Sequence, residues 1–328
     1  MYTYHHVIRR LTEADKIRLL TDLYSLSDPE TEGLGIPQVN CAALREGLRG
    51  DDSAELPSPA ALARSWDTEL MTEAAAEAAR RLGDRGIHHV ILPPAGSAIV
   101  SDGERLSEDP CLSGSLAASL LAGVRRGGLT ATAAGWGFTP ADAAAMDTPP
   151  TRRFTVDHMV SPYATLTKDG FLLGIIAENG EPVSDSMARA GYYILRRRAS
   201  ERETVTALAQ GELLIRGSAS ALEAALHTYR HIKTAITHGK ATMGELETAV
   251  REGEAMSEET LNAALDRLLS FAAACRDGAS LTDRRKAAEP VEAATLTDDL
   301  PTDGQITHEM TADSPTEPPN SRESVEVS

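Results

Sequence analysis

Aromatic residues are scarce, only 4% of 328, so a core has to be built mainly from Ala, Leu, Val and Ile. The hydrophobic share of 41% is enough to fill one large domain or two ordinary ones. Cysteine is nearly absent. Cys41, Cys111 and Cys275 lie far apart with no Cys-x-x-Cys spacing, which fits reduced thiols in the cytoplasm better than a disulfide framework or a zinc site. Cations are in deficit, with 32 Lys+Arg against 49 Asp+Glu and a net charge of −17. That balance argues against nucleic acid or an anionic membrane as partner, because counterion release needs clustered cations. No apolar run approaches the roughly 18 residues of a membrane-spanning helix. Met1–Leu11 carries His5, His6, Arg9 and Arg10 with no apolar segment behind them, unlike a secretory signal peptide. The expectation is a cytoplasmic protein.

The composition breaks after Arg276. Residues 277–328 hold twelve acidic and four basic side chains, five prolines and no aromatic. Such a segment buries too little apolar surface to offset its conformational entropy, so 277–328 is expected to be a disordered acidic tail behind a folded unit of residues 1–276.

Within 1–276 helix and strand signals alternate. Leu11, Ile17, Leu19, Leu20 and Leu23 share one helical face, and an Ala-rich helix is expected from Asp67 to Leu82. Ile87–Pro93 reads as a buried strand in which one of His88 and His89 faces the core. Asp109-Pro110 starts a helix that runs to Gly127-Gly128. Strands are expected at Leu129–Ala134, Phe154–His158, Phe171–Ala177 and Glu212–Arg216. Helices follow at Ser218–His238, Met243–Glu252 and Ser257–Ala274. The alternation implies an α/β fold with a parallel sheet, and the length suits a (β/α)8 TIM-barrel-like domain, although fewer than eight strands are legible.

Several segments, in order, resemble the N-terminal barrel domain of glycoside hydrolase family 3, the β-glucosidase and β-hexosaminidase family. Leu11–Thr21 looks like its opening helix, and Leu56–Asp67 is similar to its "FPxxxxLAATWD" segment. Leu106-Ser-Glu-Asp-Pro-Cys-Leu-Ser-Gly-Ser-Leu-Ala117 matches its "SEDPYLSGxLA" helix start. Gly123-Val124-Arg125 stands where it has "GVQ", and Leu261–Leu269 resembles its closing helix. The resemblance covers roughly residues 8 to 275. It implies a saccharide-handling barrel that needs no cofactor and no metal.

The family's chemical motifs are eroded. Its sugar-binding "DGPxGxR" falls on Ala43–Arg49, where Gly47 and Arg49 match but Ala43 replaces the Asp. Its "GRxFE" puts Ser101 at the Arg and Glu104 at the Glu. Its "KHF" falls on Ala134-Gly135-Trp136, with Thr139 at the following Asn. For the nucleophile two alignments stay open. One places Leu208 at the Asp; the other matches Ala207–Leu214 to a later segment and deletes the nucleophile strand. Retaining glycosidases need two carboxyl groups about 5 Å apart. The resemblance therefore implies a non-catalytic member that binds a β-linked saccharide, a glycosidase or another protein partner.

A working β-glycosidase with relocated carboxylates is the alternative. Such groups sit at the C-terminal ends of barrel strands, and Glu178, directly after Phe171–Ala177, is the best placed. Its bland reading is a solvated loop carboxylate beside Asn179-Gly180. Trp136 offers a sugar-stacking ring or simply packs under a loop. Arg49 and Glu104 are the remaining substrate-binding candidates. His227 and His231, at i and i+4, lack a third ligand and read as a solvated helix face. Arg196-Arg197-Arg198 reads as a helix-end charge cluster.

Overall fold

A computed structural model describes residues 3–48, 55–93, 106–107, 110–133, 172–177 and 193–281. Phe154–His158 and most of 277–328 lie outside these.

Six strands form one parallel sheet whose spatial order follows the chain: β1 Cys41–Ala43, β2 His89–Leu92, β3 Thr130–Ala133, β4 Leu172–Ala177, β5 Tyr193–Arg196 and β6 Leu213–Leu214. Parallel neighbours need long crossovers, and helices supply them. The expected α/β fold is therefore present. In chain order, α1 is His5–Ile8, α2 Glu13–Thr21, α3 Pro29–Glu32, α4 Leu44–Leu48 and α5 Pro59–Ala63. They are followed by α6 Thr68–Asp84, α7 Pro110–Arg126, α8 Glu201–Gln210, α9 Ala219–Thr237, α10 Met243–Arg251 and α11 Glu258–Leu281.

Helix starts are set by local chemistry. Thr12, Ser200 and Thr242 close capping boxes with Asp15, Glu203 and Glu245. Asp67 accepts the Glu69 and Leu70 amides at the head of α6. At the other end of α8, Gly211 takes φ 91°, a left-handed stop that a side chain would resist.

Strand alternation sorts the core onto two faces. On β2 and β3, Val90, Leu92, Ala131 and Ala133 pack with the buried alanines of α6 and with Leu116, Leu120 and Val124 of α7. Helices α6 and α7 meet closely because Gly123 and Gly127 face α6: a Cβ on Gly123 would collide with the Thr72 carbonyl, and one on Gly127 would lie 2.8 Å from the Ala76 carbonyl. The opposite face carries His89, Thr130, Thr132 and Leu195. It is covered by α11, whose Phe271 is fully buried. Along the β6 edge, the Leu23 amide donates to the Ile215 carbonyl (3.2 Å) and the Gly217 amide to the Thr21 carbonyl (2.8 Å). The segment after α2 thus shields an edge that would otherwise expose unpaired backbone groups.

Three expectations need correction. The arginine run does not follow a helix: Tyr193-Ile-Leu supplies the β-forming residues, Arg196 is the last residue of β5, and Arg197 and Arg198 lead into the Ser200 cap of α8. Leu208 is not at a strand end either. It is buried inside α8, so the helix–Gly211–strand order fits the match of Ala207–Leu214 instead. Helix α11 also runs past the compositional break at Arg276 to Leu281.

Candidate functional site

Ligand sites in parallel sheets collect at the C-terminal ends of the strands, where loops converge. The residues ending β1 to β6 are Ala43, Leu92, Ala133, Ala177, Arg196 and Leu214. None is a carboxylate. Of the predicted site residues, Arg49, Glu104, Trp136 and Glu178 all lie outside the described residues. Their neighbours in the chain are placed: Leu48 ends α4, Leu106 is buried, and β3 and β4, which end at Ala133 and Ala177, are adjacent. Ala43 closes β1 and offers no polar side chain.

The polar groups that the sheet does hold are inside it. His89 on β2 is 2% exposed, as the strand pattern required of one of the two histidines. Its Nδ1 lies 2.8 Å from the Thr130 hydroxyl and its Nε2 2.6 Å from that of Thr132. The Thr130 hydroxyl also lies 3.4 Å from the His88 carbonyl, to which it donates. Phe271 meets the imidazole edge-on at 5.5 Å and the Tyr193 ring at 5.2 Å. Burial pushes the His89 pKa down to about 3. A neutral imidazole with both nitrogens engaged cannot shuttle protons to a substrate near pH 7.

His88, on the other side of the strand, accepts the Asn40 amide at Nδ1 (3.1 Å). Burial and the nearby Arg276 guanidinium hold its pKa below the usual value. Burial likewise drives the Cys41 thiol up to about 12 and the Cys275 thiol upward, so neither is a ready nucleophile. The cavity enclosed by Cys41, His89, Ile91, Thr132, Leu195 and Phe271 measures about 10 Å³, room for no more than a water. No saccharide enters the sheet interior there.

At the end of β5, Arg196 forms a two-pronged ion pair with Glu212, Nε to Oε2 at 2.8 Å and Nη2 to Oε1 at 3.2 Å. His227 and His231 stack with ring centroids 6.4 Å apart on α9. Among the described residues no three His, Cys, Asp or Glu side chains come together to hold a metal. Among them, too, no helix is long and apolar enough to cross a membrane. The sequence missed β1, β5 and the placing of Arg216 beside the arginine run that follows β5. The parallel pairing of β5 with β6 is the signal that brings those arginines together.

No family model matches the chain, and no curated protein matches it. Solved structures do. The glycoside hydrolase family 3 β-glucosidase of Bifidobacterium adolescentis superposes with a TM-score of 0.55 at 17% identity, over 87% of this chain and 42% of that one. The β-glucosidase of Kluyveromyces marxianus in complex with glucose gives 0.54 at 16% identity, over 85% and 35%. A family 3 β-N-acetylglucosaminidase from Paenibacillus sp. str. FPU-7 gives 0.51 at 16%, over 84% and 59%. At such identities the likeness is one of fold. The chain spans less than two thirds of the length of each of these proteins.

Proposed function

We propose that this chain is a carbohydrate-binding relative of the family 3 glycosidases that has lost catalysis. In this reading it works in the cytoplasm, with its six observed strands belonging to a (β/α)8 barrel and a β-linked saccharide or a glycosidase as its partner. The observation that carries the reading is the likeness of fold to family 3 β-glucosidases over 87% of the chain. The order of the Leu11–Thr21, Leu56–Asp67 and Leu106–Ala117 segments supports it. Loss of catalysis rests on the residues at the family's working positions. Ala43 cannot anchor a hydroxyl, Ala134 and Gly135 stand where the family's Lys and His grip one, and the match of Ala207–Leu214 to a later segment deletes the nucleophile strand.

The decisive experiment sets the full chain against a panel of aryl β-glycosides beside a competent family member, with calorimetric titration of β-linked oligosaccharides. Binding without turnover is the expected result. Turnover above the buffer rate would overturn the loss of catalysis. It would favour the second reading, an active β-glycosidase. The position of Glu178, one residue after β4, is what favours that reading. Glu178→Ala would then abolish the activity.

A further inference from the structure

Strands β5 and β6 leave the sheet side by side. The Ile215 amide donates to the Arg196 carbonyl (2.9 Å), and the Ala199 amide to the Arg216 carbonyl (3.0 Å). This pairing sets Arg198 and Arg216 on adjoining strand exits although they are remote in sequence. Both are exposed, and among the described residues neither side chain has a hydrogen bond or an ion pair. Each stands two residues before the cap of a helix: Ser200 caps α8 and Ser218 caps α9.

That arrangement opposes the usual electrostatic rules twice over. Like charges on adjoining strands repel. Cations at helix N-termini face the positive end of the dipole. None of the nearby carboxylates forms an ion pair with either arginine: Glu212 pairs with Arg196, Glu203 serves the Ser200 cap, and Asp22, which lies across from Arg216, accepts the Tyr24 amide through one oxygen (3.0 Å). In a chain with a net charge of −17, two exposed arginines without an ion pair thus stand at the C-terminal end of a parallel sheet, the end at which ligand sites collect.

We infer that Arg198 and Arg216 form the anion-binding rim of the saccharide site, so that the ligand is an acidic sugar carrying a phosphate or a carboxylate. This inference rests on the carbohydrate reading above. Guanidinium groups suit both anions, since each presents paired oxygens to a planar fork.

The test is a calorimetric titration of the full chain with glucose, glucose 6-phosphate, glucuronate and inorganic phosphate at fixed salt. An acidic sugar is expected to bind about tenfold or more tighter than glucose, as a charge-assisted contact provides. Whichever of the two acidic sugars wins identifies the anion. Arg198→Ala and Arg216→Ala should each remove most of that advantage, with far-UV circular dichroism confirming that the variants fold. Acidic sugars binding no tighter than glucose, or an advantage that survives the double substitution, would overturn the inference. If no sugar binds, the carbohydrate reading fails, and inorganic phosphate decides for the rim. Phosphate binding lost in the double variant sustains it, and absent or unaltered phosphate binding ends it.

Discussion

Arg196 and Glu212 lock the step from β5 to β6 by two parallel charged hydrogen bonds, although one residue ends a strand and the other precedes the next. Their side chains retain only 19% and 11% exposure, so the pair is largely withdrawn from water. Helix α8 arches between them, and Glu203 of its first turn lies 3.9 Å from the same guanidinium. The pair therefore ties the crossover helix to the sheet edge at the rim where Arg198 and Arg216 emerge.

Removing one partner should cost more than the pair contributes, because the other charge is stranded in a poorly solvated place. Glu212→Ala is expected to destabilise the fold by about 2–3 kcal/mol, with Glu212→Gln milder because it still accepts a hydrogen bond. Chemical denaturation at neutral pH measures both. A loss below about 0.5 kcal/mol for the alanine variant would place the pair among surface ion pairs of little weight.

The contrast is Arg230, which holds Glu13 of α2 and Glu258 of α11 from the middle of α9. All three side chains are about half exposed or more. Arg230→Ala should therefore cost under about 1 kcal/mol, and the cost should shrink further at high salt. Equal losses in low and high salt would mean that the aliphatic stem of Arg230, rather than its charge, does the packing.

Helix α7 lies against α6 through glycine. Gly123→Ala drives a methyl into the Thr72 carbonyl and the Ala75 side chain, backbone on one side and a fully buried group on the other. Overpacking of this kind costs about 1–3 kcal/mol, against the small gain in helix propensity that alanine brings elsewhere. Thermal melts of Gly123→Ala beside Gly83→Ala make the comparison. At Gly83 the nearest atom beyond the helix is a Leu129 methyl at 3.8 Å, so that variant should be neutral or slightly stabilising.

These examples show which parts of the fold the sequence exposes. The long helices α6, α7, α9 and α11 are legible because their apolar spacing repeats over several turns, and Asp67 and Ser218 mark starts by chemistry that acts within three residues. Strand β2 is legible as an apolar run, Val90-Ile-Leu, behind the two histidines. Strand β1 is not, because Cys41-Ala-Ala is three small residues long, and β5 is hidden by the arginines that follow Tyr193-Ile-Leu. The candidate site suffers most. Its groups sit between strands, where no periodicity operates, and a relationship such as that of Arg198 to Arg216 exists only once β5 and β6 pair.

The buried imidazole of His89 makes a prediction on pH. Its folded pKa of about 3 lies below the ordinary 6.5, so the unfolded chain takes up a proton that the folded one refuses. Stability is therefore complete above pH 6.5 and falls as pH drops from there towards 3, by about 1.4 kcal/mol per unit. His88, also held low, adds in the same direction. The carboxylates of Glu13, Glu77 and Glu203 lie below their ordinary 4.5, so their contributions are lost only under more acid conditions. Between pH 6.5 and 4.5 the histidines thus dominate, and His89 alone should account for about 2–3 kcal/mol. His89→Gln is expected to be less stable at pH 7, because the Thr130 and Thr132 hydroxyls lose ideal partners, yet to show a flatter pH dependence across that window. Urea denaturation of both proteins at pH 7, 5.5 and 4.5 reads the slopes directly. Parallel slopes would mean that His89 protonates in the folded chain as readily as in the unfolded one, and that the enclosure by Thr130, Thr132 and Phe271 does not keep it neutral.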